Sequence, residues 1–579
     1  MLNEKVRSEY ARWLNSGKVD ADTKKELLSI QDNEQAIAER FSFPMQFGTA
    51  GLRSTMAAGI SKMNVYTVAH TTRGLADLIL QTNAQDRGVA VAYDSRNNSQ
   101  LFAKTAARVL AAYGIKVYFF ESIRPTPELS FAVRHYGCIA GINITASHNP
   151  KEYSGYKVYW EDGAQLPPEH AKTVSDAVAK ADIFDDVEFA DFDQAVADGI
   201  INIIGKETDE AYIRAVLDCR ICPEVTAQYG NSLNIVYTAL HGTGYRLVPE
   251  VLRRAGITNL RTVERQMIPD GNFPTVQSPN PENRECFDLA VEMIRRENVD
   301  CELIIGTDPD GDRIGVVAKD KNGDYFALNG NQIGAILIDY IIKGRKQQNR
   351  LPADACAIKS IVSGNLFDAI CDKAGVQHIN VLTGFKYIGE KIKEFEETRS
   401  ATFIFGYEES HGYLSGGYVR DKDGVAASLL VAEAASFYKK QGKTLGQVLD
   451  ELYGEYGYYK EAVLNTVIRG IDPMAVMAEK MRSLRTEGLT EIAGTEVVAV
   501  RDFLSGVRKD LKTGQTEPTG LPESDMLYYE LADRAAVIVR PSGTEPKIKV
   551  YILTMADSEA ECDNRLNKYK TAMKTMINE

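Results

Sequence analysis

Three aspartates at alternate positions, Asp308, Asp310 and Asp312 in "GTDPDGDRIG", follow the apolar run "CELIIG". Carboxylates this close repel one another unless a cation neutralises them, and an all-oxygen donor set suits Mg²⁺ or Ca²⁺. The stretch opens D-x-D-x-D, as an EF-hand does. Its sixth position, however, is Arg313 where that loop needs glycine, and its twelfth is Lys319 where it needs glutamate. An EF-hand is excluded. Three protein carboxylates leave coordination positions open, as a Mg²⁺ that works on a phosphate requires. The competing reading is a solvated acidic turn.

A second stretch, "GINITASHNPKEYSGYKVYW" (141–160), runs from a short apolar strand into Ser147, His148, Asn149 and Pro150, and Lys157 comes ten residues after the serine. Ser147 is either a turn residue bonded to local backbone or an exposed nucleophile. A third, "VRPSGTEPKIK", combines Arg540, Ser542, Gly543, Thr544 and Lys547. Successive N–H groups in such a turn form a concave anion site, and the guanidinium adds a bidentate clamp. A Walker loop is absent here, and a plain hairpin turn is the alternative. In "FGYEESHGYLSGGYVRDKDG", Glu408 and Ser410 point to one side if the loop is extended, a geometry suited to two neighbouring sugar hydroxyls. Arg420 and Lys422 follow within reach of an anion, and "QFGTAGLRSTM" places Arg53 after a Gly-rich turn. Either stretch could equally be a Gly-rich surface loop.

The elements that carry these loops are apolar runs ending abruptly in polar turns, such as "GVAVAYDSRNNS", "LNIVYTALHGTG" and "ATFIFGYEESHG", with helical patterns between them. That alternation predicts parallel sheets whose ligands sit beyond the carboxyl ends of strands. At 579 residues the chain needs three to five cores. Residues 1–40 read as amphipathic helix packed on the first domain. The final stretch, "AAVIVRPSGTEPKIKVYI", reads strand, loop, strand, which predicts a smaller α+β domain from about residue 458. No low-complexity linker separates the parts, so the domains are expected to pack closely.

Composition narrows the partners. A net charge of −13 lacks the basic footprint of a nucleic-acid binder, yet allows a small phosphorylated substrate held by locally gathered Arg and Lys. The polar N-terminus does not resemble a secretory signal, and no run approaches the roughly 20 apolar residues of a membrane span. Eight scattered cysteines suit free thiols in a reducing cytoplasm, and the single CxxC, Cys219 and Cys222, reads as coincidence on a helix end.

Serine with lysine, triple aspartate, polyol loop and phosphate loop together resemble the α-D-phosphohexomutase superfamily of phosphoglucomutases and phosphomannomutases. The resemblance runs from about residue 45 to the C-terminus with the four loops in family order. "TASHNP" and "DPDGDR" are its specific motifs, while "GYEESHGY" and the N-terminal helical region look most like the phosphoglucomutase-2 branch. It implies three related α/β domains with mixed sheets (1–210, 211–323 and 324–457) and a C-terminal α+β domain (458–579) around a central cleft. It further implies that Ser147 is carried as phosphoserine, with Asp308, Asp310 and Asp312 holding Mg²⁺ against its phosphate. Lys157 matches the acid–base lysine, His148 borders the serine, and Arg313 contacts the group in transfer. Gly384 and Lys386 in "LTGFKYIG" match a substrate-contacting loop, and Glu408 and Ser410 the sugar-hydroxyl contacts. Arg540, Ser542, Gly543 and Thr544 match the distal phosphate site, where Lys547 and Lys549 both qualify as the following basic residue. The implied reaction interconverts glucose 1-phosphate and glucose 6-phosphate through glucose 1,6-bisphosphate, in a cytoplasmic monomer or weak dimer. Mannose or pentose phosphates are the alternative substrates. A phosphatase and a non-catalytic sugar-phosphate binder are rival classes.

Overall fold

The computed structural model describes residues 3–45, 47, 51–320, 322–468, 472–542 and 547–578. The N-terminal region is three short helices, Glu4–Asn15, Ala21–Leu28 and Glu34–Phe41. Each begins where a side chain, Asn3, Asp20 or Asn33, accepts a first-turn backbone N–H. Their apolar faces gather Trp13, Leu27, Ile37 and Phe41 around Ala58 and Phe184 of the adjoining α/β unit.

The first sheet sets Ile201–Ile204, Val117–Phe120, Val89–Tyr93 and Ala140–Ile144 in parallel and completes itself with antiparallel Tyr153–Trp160 and Leu52–Thr55. Val89–Tyr93 shows why its run is apolar throughout. Val89, Val91 and Tyr93 enter one core, and Ala90 and Ala92 enter another on the opposite face. The second sheet repeats the plan, with Leu260–Thr262, Ile235–Thr238 and Leu303–Thr307 parallel, then antiparallel Ile314–Lys319 and Tyr325–Leu328. The third has Gln377–Val381, Ala355–Ser360 and Thr402–Glu408 parallel, then antiparallel Gly412–Leu414. Second and third sheets share one continuous core, through which the fully enclosed helix Gly424–Lys439 passes.

The fourth sheet is antiparallel between all its paired strands, from Tyr458–Val467 through Lys547–Ala556, Ala536–Pro541, Leu527–Leu531 and Thr495–Asp502 to Val507–Asp510 and Thr516–Pro518. Its inner face packs with Met477 and Met481 of the helix Pro473–Thr486 and with Tyr569 and Met573 of Glu559–Asn578. The other face meets Ile361, Val362 and Leu382 of the third unit.

One regularity positions everything below. In each of the first three units, the chemistry-bearing loop leads from the last parallel strand into its antiparallel partner: residues 145–152, 308–313 and 409–411. The fourth loop likewise joins two antiparallel neighbours, Ala536–Pro541 and Lys547–Ala556. These loops do stand at the carboxyl ends of strands, but they close hairpins instead of opening crossover helices.

Candidate active site

Ser147 follows Ala140–Ile144 in a left-handed backbone conformation, φ 52°, which is strained for a residue bearing a β-carbon and persists only where neighbours enforce it. Thr145 Oγ1 accepts its N–H at 2.8 Å. Its hydroxyl is thereby aimed out of the first unit and donates to Asp308 Oδ2 of the second at 2.9 Å. His148 Nδ1 lies 3.1 Å from Ser147 Oγ. Burial, with Arg313 and Arg53 nearby, pushes the His148 imidazole well below its usual range, so near neutral pH the ring is uncharged. Arg53 donates to Asn149 Oδ1 at 3.0 Å on the other side of the loop.

The three aspartates converge, with one oxygen from each inside a 4.8 Å cluster, and all three are buried. Asp308 Oδ1 accepts the N–H groups of Asp312 and Arg313 at 3.1 and 3.0 Å, which curls the loop around it. Asp310 Oδ2 accepts from Thr126 Oγ1 at 2.9 Å and from Lys157 Nζ at 2.8 Å. Asp312 Oδ2 lies 3.2 Å from Lys422 Nζ. Asp310 Oδ1 and Asp312 Oδ1 are buried without a hydrogen-bond partner. Each of these two carboxylates thus has one oxygen anchored by a cation and one orphaned, beside Asp308 Oδ2 at the serine. That donor set fits a hard divalent cation with open positions. Burial and the charges of Asp310 and Asp312 push the Asp308 carboxyl well above its ordinary value. Burial opposes ionisation of Asp310 too, but Lys157 outweighs it and holds that carboxyl below the usual range.

The third unit adds the polyol loop. Glu408 ends the strand Thr402–Glu408, is buried, and accepts the Gly384 N–H at 2.7 Å. Burial raises its carboxyl above the ordinary value although Lys422 opposes this. Lys422 is also buried, but Asp312 and Asp421 outweigh that and raise its ammonium. Its stem passes over Gly412, where a Cβ would meet Lys422 Cδ at 2.1 Å. At Gly424, a Cβ would stand 2.6 Å from the Gly311 carbonyl oxygen, so the enclosed helix reaches the metal loop only through glycine. Across the cleft, Lys386 and Tyr387 of the third unit and Arg540 of the fourth line a cavity of about 150 Å³ with Thr383 and Ser524. Two cations lining so small a space suit an anion.

Models of the phosphoglucomutase/phosphomannomutase α/β/α domains I, II and III match residues 44–183, 210–323 and 329–456. The chain belongs to this family. A phosphoglucomutase of Staphylococcus epidermidis is 35% identical over 93% of this chain and 96% of its own length. Two solved structures share the fold. One is a phosphoglucomutase/phosphomannomutase family protein of Burkholderia thailandensis (TM-score 0.63, 17% identity, 92% of this chain and 98% of that one). The other is the exocytosis-sensitive phosphoprotein parafusin, a phosphoglucomutase of Paramecium (TM-score 0.65, 16% identity, 92% and 93%). The α-D-phosphohexomutase resemblance of the four loops is therefore a matter of descent, and the three α/β units with a further sheet-rich unit are the family's architecture.

Not every residue expected at the site is there. Arg420 is buried with its guanidinium turned away, donating to Glu396 and to the Gly417 carbonyl at 2.5 Å, while its own N–H is held by Ser130 Oγ at 3.0 Å. It ties the loop down and does not reach the cleft. Ser410 is half-buried in a turn, with His411 at φ 65°, because pairing of Glu408 with Gly412 leaves only three residues to reverse the chain. The extended geometry expected of Glu408 and Ser410 is absent. Gly543 and Thr544 lie outside the described residues. Ser542 donates its N–H to the Lys547 carbonyl at 2.7 Å, closing the base of that loop. Of the two candidate lysines, which share one face of the strand, Lys549 pairs in register with Arg540 and has Glu409, Arg540, Arg313 and Glu282 as its charged neighbours. Two residues escaped the sequence reading. Glu282 in "PNPEN" binds Arg313 Nη1 at 2.8 Å. Arg96, in the strand-end turn "YDSRNNS", holds the serine loop, and an Asp-x-Arg at a strand's carboxyl end was its available signal.

Proposed function

We propose that this chain is a phosphoglucomutase, interconverting glucose 1-phosphate and glucose 6-phosphate through phosphoserine at Ser147 and glucose 1,6-bisphosphate. The observation that carries the reading is the Ser147 hydroxyl, 2.9 Å from Asp308 Oδ2, a carboxylate of the buried Asp308, Asp310 and Asp312 cluster in which two oxygens lack a hydrogen-bond partner. Phosphoserine gives its phosphoryl group to the free sugar hydroxyl. A P–O bond forms to the sugar as the bond to Ser147 Oγ breaks, the hydroxyl proton leaves, and one proton returns to Oγ. Lys157 is assigned that proton exchange, and His148 Nδ1, at 3.1 Å, keeps Oγ in line. The bisphosphate turns over, and Ser147 recovers a phosphoryl group from the other end.

Asp308, Asp310 and Asp312 would hold Mg²⁺, which when bound offsets charge on the transferring group. Arg313, with its guanidinium set by Glu282, adds fixed positive charge there. Glu408 reads a sugar hydroxyl, and Ser410, carried by the three-residue turn and not by an extended strand, is assigned a hydroxyl only through the family resemblance. Gly384 and Lys386, with Arg53, Arg540, Ser542, Lys547 and Lys549, hold the substrate and its non-reacting phosphate. Small sugar phosphates are the only partners proposed. The free cysteines, mostly buried, suit the cytoplasm, no helix among the described residues is long and apolar enough to cross a membrane, and a monomer or weak dimer is proposed. The test is a panel of glucose, mannose, ribose and deoxyribose 1-phosphates with catalytic bisphosphate, on wild type and Ser147→Ala. Glucose phosphates should turn over fastest, the variant should lose activity by orders of magnitude, and intact mass should show one phosphate on the wild type alone. Full activity in Ser147→Ala refutes the mechanism.

A further inference from the structure

We propose that Arg96 is the positioning residue of the nucleophile, and that a segment of the second unit completes its hold; this rests on Ser147 being the phosphoryl carrier. The Arg96 side chain is wholly buried, with Nε 3.2 Å from Asp94 Oδ2. Its Nη2 donates to the carbonyls of Ser147 and Asn149 at 2.5 and 2.6 Å, and its Nη1 to those of Pro150 and Tyr153 at 2.8 and 3.1 Å. All four acceptors lie between Ser147 and Tyr153, the first residue of the strand into which the serine loop runs. A single planar group bonded on both sides of Ser147's turn fixes the left-handed backbone that aims Oγ at Asp308. Asp94 Oδ1 fixes the arginine in turn, accepting the Arg96 N–H at 2.9 Å and the Ser99 hydroxyl at 2.7 Å.

The second unit seats on this clamp. The Phe273 ring covers the guanidinium at 5.1 Å, Asn97 donates to Asn272 Oδ1 at 3.1 Å, and Ser278 Oγ donates to the His148 carbonyl at 2.8 Å. A Cβ at Gly271 would lie 2.3 Å from the Asn97 nitrogen, so the approach requires glycine. The serine is thus held from behind by its own unit and from the side by the unit that carries the aspartates. Its in-line geometry is completed only when the two are docked.

The experiment compares Arg96→Lys and Asp94→Asn with wild type in single-turnover transfer. Each enzyme is phosphorylated with glucose 1,6-bisphosphate, then mixed with glucose 6-phosphate. Lysine keeps the charge but cannot bridge four carbonyls. Transfer should slow on the order of 100-fold, as misplacement by about 1 Å does, while KM for glucose 6-phosphate changes less than about threefold; the thermal midpoint falls because a buried pair is loosened, but the protein stays folded at the assay temperature. A folded Arg96→Lys with transfer near the wild-type rate overturns the assignment. So does a parallel rise in KM, which would make Arg96 a substrate-binding group. Should Arg96→Lys not fold, Asp94→Asn is read by the same criteria; failure of both to fold makes the arginine a purely structural residue and also overturns it. Absence of phosphoserine in wild type would instead refute the parent reading, so the two failures are distinguishable.

Discussion

Replacing Lys157 with methionine keeps the stem of the side chain and removes the ammonium that donates to Asp310 Oδ2 at 2.8 Å. At an effective dielectric of about 20, unit charges at that distance attract by about 6 kcal/mol before desolvation is counted. Breaking a buried pair by deleting one partner costs about 3–5 kcal/mol, because the remaining charge stays out of water. Thr126 still donates to the carboxylate, which places the loss near the lower end, about 3 kcal/mol. For a cooperative unit of 150–250 residues this lowers the thermal midpoint by roughly 6–12 °C. The pH dependence identifies the cause. In the wild type the Asp310 carboxyl sits below its unfolded value, so its contribution is full above about pH 4 and is lost as pH falls through the depressed folded value. In Lys157→Met the folded value rises above the unfolded one. The penalty is then largest at neutral and alkaline pH and is relieved on acidification through that raised value. Thermal unfolding in chelator at about pH 8 and about pH 5 reads both effects, and Mg²⁺ should restore part of the deficit by binding the folded state. A midpoint within about 2 °C of wild type at the higher pH, or a deficit unchanged at the lower, refutes the reasoning.

Arg540→Ala removes one of the two cations lining the 150 Å³ cavity; it should weaken glucose 1-phosphate and glucose 6-phosphate alike by about 10- to 150-fold in equilibrium binding, and an effect on only one of them excludes a shared anchor. Chelation should abolish turnover and Mg²⁺ restore it, with Ca²⁺ a poor substitute because of its longer, looser coordination; turnover indifferent to chelator makes the triad an ordinary acidic turn. Glu461, beside Asn331 and Gly364 between the third and fourth units, has its carboxyl lifted by burial to about 7. A raised folded value means that stability falls as pH rises from about 4.5 to about 7, so Glu461→Gln should raise the thermal midpoint at about pH 8 and leave it unchanged at about pH 5; equal shifts at both would refute burial as the cause.

The metal loop was legible because three carboxylates at alternate positions are hard to account for without a cation, whereas the residues of the serine loop left turn and nucleophile open and it was the resemblance of "TASHNP" that decided between them. The fold class was legible from apolar runs that end in polar turns. What escaped depends on partners distant in the chain. Arg420 and Lys422 stand two apart and look equivalent, yet Glu396 and Ser130 turn one inward while Asp312 draws the other to the site. No local pattern distinguishes them. Residues 1–40 carry three cap signals, Asn3, Asp20 and Asn33, that divide the expected single helix into three. Arg96 was missed for a different reason: the Asp-x-Arg at its strand end marks a charged pair, but its four acceptors are backbone carbonyls, so nothing in side-chain identity ties it to the serine loop.

The kinship of the first three units is likewise architectural, since each places its active loop at the parallel-to-antiparallel hairpin and no sequence repeat announces it. That placement has a mechanical consequence. A hairpin loop is gripped by ladder bonds on both sides, so its position is set by the sheet. The sheets are joined in turn by buried charge: Lys157 of the first unit and Lys422 of the third both bind carboxylates of the second. Sliding these units past one another without admitting water would leave Asp310 and Asp312 buried without their cations, at about 3–5 kcal/mol for each pair. The fourth unit meets the third through an apolar face in which Ile361, Val362 and Leu382 pack against Ile538 and Tyr551. Non-directional contacts of that kind tolerate sliding where a buried ion pair does not. In the proposed mechanism, the bisphosphate that turns end over end would obtain its room on the side of Arg540 and Lys549, while nucleophile, carboxylates and lysines remain locked together.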